Sequence, residues 1–197
     1  NDFVLFEKKY RVSNAGNFEG KNILVESNNE LNEEEQNKIA KIEYKLIQER
    51  KKRAKPFFDD KSQTDLNAFI LDTLIIASII LEDNNLKDEA ISTLEILNNK
   101  LSSKIYHCYD SSEIDSFLED YVYYAMLLVT LYEVNGDEHS LQKAISIMKE
   151  TWEIFYNKDT QLLQKNKIKD NDLFVSPIDL NDSNIPNGNS VYLNLCN

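Results

Sequence analysis

The sequence predicts an all-α fold: antiparallel helical hairpins forming part of an α/α toroid that is incomplete in this chain. Three observations carry that expectation. Glycine and proline are scarce, at 4 and 3 among 197 residues, which disfavours an all-β domain with many tight turns. Long stretches repeat apolar residues at helical spacing. Those stretches also alternate, one apolar on nearly every side and the next apolar along a single stripe.

Residues 1–30 read as an irregular entry segment, and 31–197 as the helical hairpins. Within the entry, Ile23-Leu24-Val25 is a short strand or an apolar anchor. Asn32 caps a helix with three glutamates in its first turn, where the helix dipole favours them. That helix runs to about Arg53, with Ile39, Ile42, Leu46 and Ile47 on one face, and Pro56 ends it. The basic run at its end, Glu49 to Lys55, suits a helix C-terminus.

Thr64 serves as N-cap for a second helix, to about Glu82. Its stretch Ala68 to Leu81 is apolar on nearly every side, so burial all round is expected. Asp83-Asn84-Asn85 turns the chain. A helix from Leu86 then carries Ala90, Ile91, Leu94, Leu97 and Leu101 on one stripe. After a loop holding His107, Cys108 and Tyr109, an all-apolar helix runs from about Asp115 to Val134. Asn135-Gly136-Asp137 turns again, and Glu138 to Tyr156 is striped. The tail, Asn157 to Asn184, is polar and loop-like. A last inner helix opens near Asn187 or Asn189. All-round apolar helices wrapped by striped ones make an inner ring, with polar inner-helix starts gathered at a central cavity.

Charge narrows the partners. The net charge of −12 argues against nucleic acid and against an anionic membrane surface, because both need a basic face. No metal-binding spacing of cysteine or histidine occurs, and Cys108 and Cys196 lack a CxxC arrangement, which implies a reducing compartment. The longest apolar run, Leu74 to Leu81, is too short to cross a bilayer, and no signal-peptide pattern opens the chain. A cytoplasmic location is the expectation. The chain begins on Asn1 rather than Met, which suggests a processed or excised segment.

Five segments resemble one family in register. Asn17-Phe18-Glu19-Gly20-Lys21-Asn22-Ile23-Leu24 resembles GNFEGxNxL. Arg50 to Pro56 resembles RxxRxxP, and Asp59-Asp60-Lys61 through Asn67 resembles DDKxLTxWNG. Leu118-Glu119-Asp120-Tyr121 resembles LDDYA, and Ile185 to Ser190 resembles PSGNS. The family is the DUF255, YyaL-like or spermatogenesis-associated protein 20-like proteins. The sequence differs from its pattern at Leu66, Ala68, Glu119, Val122 and Asn187. The resemblance implies the central part of a six-hairpin glycosidase-like toroid. It also implies, as partners in a longer protein, the rest of that toroid and a thioredoxin-like domain.

The chemistry then centres on the starts of the inner helices. Asp60 and Asp120 are the candidate acid–base carboxylates, as glycoside chemistry needs a pair across a sugar. Asp59, Asn67, Glu119, Tyr121 and Asn189 are candidate contacts to a sugar or sugar-like small molecule, since amides and phenols match hydroxyls. No cofactor is implied. His107 and His139 are expected as neutral surface residues. Asp, Asn and Ser at helix starts also act as caps, and Tyr121, Tyr123 and Tyr124 also read as packing. Two other functions stay open: a non-catalytic helical scaffold for a protein partner, and an accessory domain of a thioredoxin-like redox protein.

Overall fold

The structure is a computed structural model that describes residues 2–102, 104–109, 114–167 and 175–197. The chain is mostly helical. It divides into two compact units, Asn1–Asp59 and Asp60–Asn197.

The first unit holds α1 (Asp2–Lys9) and α2 (Glu33–Lys51). Residues 2–9, expected to be irregular, are therefore helical. Asp2 opens α1 and Lys8 and Lys9 close it, charges that suit its dipole. Asn32 caps α2 as expected: its side chain accepts from the Glu35 N–H, and the Glu35 carboxylate reaches back to the Asn32 N–H. Lys8 pairs with Glu35 at 2.7 Å, while Lys9 and the Tyr10 hydroxyl share Glu43. Ile23, Leu24 and Val25 form no strand and stay about half exposed. The loop before them is stitched by Asn17. Its amide donates to the Arg11 and Ile23 carbonyls and its oxygen accepts from the Ile23 N–H. Gly16 closes that loop at φ +79°, where a Cβ would lie 2.6 Å from the Gly20 carbonyl carbon.

The second unit holds α3 (Thr64–Ile80), α4 (Asn84–Lys100), α5 (Leu118–Asn135), α6 (Glu138–Phe155) and α7 (Gly188–Leu195), with a small antiparallel hairpin of β1 (Tyr156–Asn157) and β2 (Leu162–Leu163). The hairpin lies where the sequence reads as loop; two residues per strand are too few to show a period. Asp83 and Asp137 cap α4 and α6, and Gly136 ends α5 at φ +73°. Thr64 does not cap α3. Gln63 holds that position, and the Thr64 hydroxyl donates instead to the Tyr106 carbonyl at 2.6 Å.

Helices α3 and α5 run in the same direction. Their first turns meet at Asp65 and Asp120. Phe69 and Tyr123 lie ring to ring at 5.3 Å, and further along the Thr130 hydroxyl donates to Asp72 at 2.6 Å. Helix α7 keeps the same polarity. Gly188 abuts Leu118 at the start of α5, while Leu195 shares a groove with Val129 further along. The returning helices pack on them, α4 on α3 and α6 on α5. Asn98 of α4 joins α6 and α5 by accepting from Lys143 and Tyr124.

Helix α5 is the core. Tyr121 through Ala125, Leu127 and Leu128 are nearly or wholly buried, as an all-round apolar helix requires. Helix α3 departs from that expectation. Ala68, Leu71 and Ile75 face inward, but Leu66, Ile70, Ile76 and Ile80 lie exposed along one flank. It has a neighbour in α5 and α4 but remains bare on its remaining side within this unit. No helix among the described residues is long and apolar enough to cross a membrane.

Truncation should separate the two faces. Leu128→Ala, at a position 1 % exposed, should cost about 2–5 kcal/mol of unfolding free energy in urea. Ile80→Ala on the bare flank should stay within about 0.5 kcal/mol. Gly16→Ala should destabilise the first unit, read as earlier proteolysis within residues 1–59.

Candidate functional site

The shared polarity of α3, α5 and α7 brings their starts together, and a cavity of about 280 Å³ opens there. Asp65, His107, Glu119, Lys165, Asp179, Asn181, Ser183 and Asn187 supply its polar lining, with Phe117, Ile185 and Pro186 as apolar wall. The site thus combines first-turn residues of α3 and α5, the cap of α7, and two connecting segments.

Asp120 lies behind this lining and is fully buried. Its carboxylate accepts from the Phe117 N–H at 2.7 Å and the Asp65 N–H at 3.1 Å. The His107 ring lies against it, Nδ1 at 3.1 and 3.2 Å from the two oxygens. His107 Nε2 is 3.1 Å from the Gln63 amide nitrogen. With Gln63 donating, His107 accepts at Nε2 and donates from Nδ1 to Asp120. Burial pushes the Asp120 carboxyl up to about 7, while its bond to the Phe117 N–H and the nearby His107 act in the opposite direction and Asp65 adds to the rise.

Asp65, His107 and Asp120 bring one donor atom each within 4.8 Å of one another, a set that can hold a metal ion. Here Nδ1 and both Asp120 oxygens are joined by hydrogen bonds instead. Glu119 faces the cavity with its pKa raised, chiefly by burial. Its Oε2 is buried with no hydrogen-bond partner among the described residues.

The structure sorts the sequence candidates. Glu119 lines the cavity. Asp120 stands one layer behind it, positioning His107. Asp59 and Asp60 are exposed on the extended segment before α3 and are not part of the lining, so Asp60 and Asp120 are not brought together across a ligand. Asn67 braces its own helix start, donating to the Gln63 carbonyl at 2.7 Å. Tyr121 is core: 2 % exposed, edge-on to Phe155, with its hydroxyl toward Glu150. Asn189 staples β2 to α7. Its oxygen accepts from the Leu163 N–H and its amide donates to the Leu163 and Asp179 carbonyls.

Burial pushes the Tyr121 and Tyr123 hydroxyls up to about 12, and they stay neutral. The Tyr123 hydroxyl donates to the Pro186 carbonyl at the cavity wall. His107 corrects an expectation. It is not a surface residue, since its side chain is only 14 % exposed. His139 is a first-turn residue of α6, where its N–H donates to the Asp137 cap. Asp65 and His107 were missed as a pair because they meet only through tertiary contact. The one sequence signal was the place of Asp65 inside the family-like segment Asp59 to Asn67; His107 lies in none of those segments. No family model matches the chain, and a search of curated proteins finds no match either. The family resemblance therefore rests on the motifs quoted from the sequence.

The Asp120 carboxyl has a pH signature. Below about pH 4 it is protonated in both folded and unfolded chains. From there to about pH 7 the folded chain alone keeps the proton, so this group's stabilisation is lost as pH rises through that window. The unfolding free energy of the parent minus that of Asp120→Asn should therefore fall between about pH 4 and 7. A flat difference would show that burial does not raise this carboxyl.

Proposed function

We propose that the second unit is a small-molecule binding domain for a sugar or sugar-like polyhydroxyl ligand, taken into the cavity at the starts of α3, α5 and α7. The observation that carries the reading is the convergence of carboxylate, amide and imidazole groups on a cavity of about 280 Å³ with apolar walls. Clefts of that kind suit a small molecule held by a few convergent polar groups. Binding is favoured over turnover. His107 lines the cavity with both its nitrogens engaged, the Asp120 carboxylate behind it is closed off, and Asp65 and Glu119 are left as carboxylates that can hold a ligand. Supporting the larger architecture are three co-directed helices with returning helices packed on them. We read these as part of an α/α toroid of the DUF255-like, thioredoxin-domain family, which places the chain in a carbohydrate-related role by fold analogy. A cytoplasmic location fits the cysteine usage.

The second reading is a helical scaffold. It is favoured by Asn67 and Asn189, whose amides are spent on backbone, and by the bare apolar flank of α3. An accessory role beside a thioredoxin-like redox domain rests on the resemblance alone.

A thermal-shift series with neutral monosaccharides separates the two main readings. At ten times the Kd, a ligand adds about 1.4 kcal/mol, or about 4 °C for a domain of this size. The rise should disappear in Asp65→Asn and persist in Asp60→Ala. No rise with any sugar, together with unchanged stability curves, would favour the scaffold.

A further inference from the structure

We infer that the ligand of this cavity carries a protonated amine, held by Asp65 and Glu119, and that phosphorylated ligands are rejected. The inference rests on the small-molecule reading above and names its ligand class.

Consider first what an anion would find. Helix N-termini ordinarily offer free N–H groups to phosphate. At α3 those groups are taken. The Thr64 N–H donates to the His107 carbonyl at 2.8 Å, Asp65 to Asp120 at 3.1 Å, Leu66 to the Asp65 carboxylate at 2.7 Å, and Asn67 to the Gln63 carbonyl at 3.1 Å. At α5 the Leu118 N–H donates to the Lys165 carbonyl, and at α7 the Ser190 N–H donates to the Asn187 cap. The lining has one lysine, Lys165, and it is paired with Asp179 at 3.6 Å. A phosphate would meet the carboxylates of Asp65, Glu119 and Asp179, with the Asn181 amide and the Ser183 hydroxyl as neutral donors beside them.

A cation finds the reverse. Once Lys165 and Asp179 offset one another, the lining retains the carboxylates of Asp65 and Glu119. Glu119 is the telling one. Its Oε2 is buried with no partner among the described residues, and a buried acceptor without a donor is costly. An ammonium drawn to the Glu119 carboxylate supplies that donor once Oε2 turns toward the cavity, and offsets the local negative charge. A bond from an ammonium to a part-buried carboxylate is worth roughly tenfold in affinity or more. A bare divalent ion is the competing occupant. It would have to break either the His107–Asp120 or the Gln63–His107 contact to reach a nitrogen ligand, whereas an amine need not.

Isothermal titration of the full chain at pH 6 tests this with four probes: glucosamine, glucose, N-acetylglucosamine and glucose 6-phosphate. Manganese chloride alone is a fifth. Glucosamine should bind about tenfold more tightly than glucose or N-acetylglucosamine, and glucose 6-phosphate more weakly than glucose. Glu119→Gln should erase the amine preference and leave glucose binding in place, whereas Asp65→Asn should abolish binding of both sugars. Equal binding of glucosamine and glucose overturns the inference while the cavity reading stands. So does a preference that survives Glu119→Gln. Stabilisation by manganese alone, with no sugar response, also overturns it. If none of the five probes binds, the small-molecule reading itself falls, and this inference with it.

Discussion

The second unit depends on one buried carboxylate. Asp120 sits at the start of the most enclosed helix, where an ion without partners would be prohibitively costly. It is tolerated because three different parts of the chain come to it. Its own helix entry supplies the Phe117 N–H, α3 supplies the Asp65 N–H, and the connecting segment supplies His107. Those bonds fix how the starts of α3 and α5 align. Further along, Thr130 and Asp72 repeat the device across the same seam. Apolar packing is non-directional. Two polar ties at separate heights set the register that grease alone would leave loose.

Tyr121, Tyr123 and Tyr124 of α5 work the same way in a different direction. Each buries its ring, and each hydroxyl leaves the core through a partner on another element: Glu150 on α6, the Pro186 carbonyl before α7, and Asn98 on α4. One helix thus contacts every neighbour in the unit through a hydrogen bond as well as through packing. A leucine-only helix would supply the burial without that specificity. The same economy keeps Asn189 from a ligand: the oxygen and nitrogen of its amide already serve the hairpin beside it.

Much of the fold was legible in the residues. The Asn32 cap, the turns at Asp83 and Gly136, and the stripes of α4 and α6 depend on neighbours within a few positions. Burial of α5 was legible too, because no face of it is polar. The equally apolar α3 was misjudged. Periodicity reports which residues avoid water, not whether the surroundings within a unit suffice to cover them. The hairpin of β1 and β2 was too short to leave a pattern. In the site, Glu119 and Asp120 were visible as first-turn acids. Asp65 and His107 were not visible as a pair, since the 41 residues between them must fold before they meet. Asn67 and Asn189 looked like ligand contacts because an amide that binds backbone and one that binds a sugar are the same residue type at the same helix position.

Gly188 sits where α7 begins, and its missing side chain lets the backbone press against Leu118, with an added Cβ only 2.7 Å from the leucine Cδ2. The same turn carries the Asn187 and Pro186 edge of the cavity. One position therefore works as a spacer between two rods and, through them, as the aperture stop of the chamber. Bulk added there would meet Leu118 first and stand 3.4 Å from Glu119 Oε1, so the width of the opening and the placement of that carboxylate answer to one position.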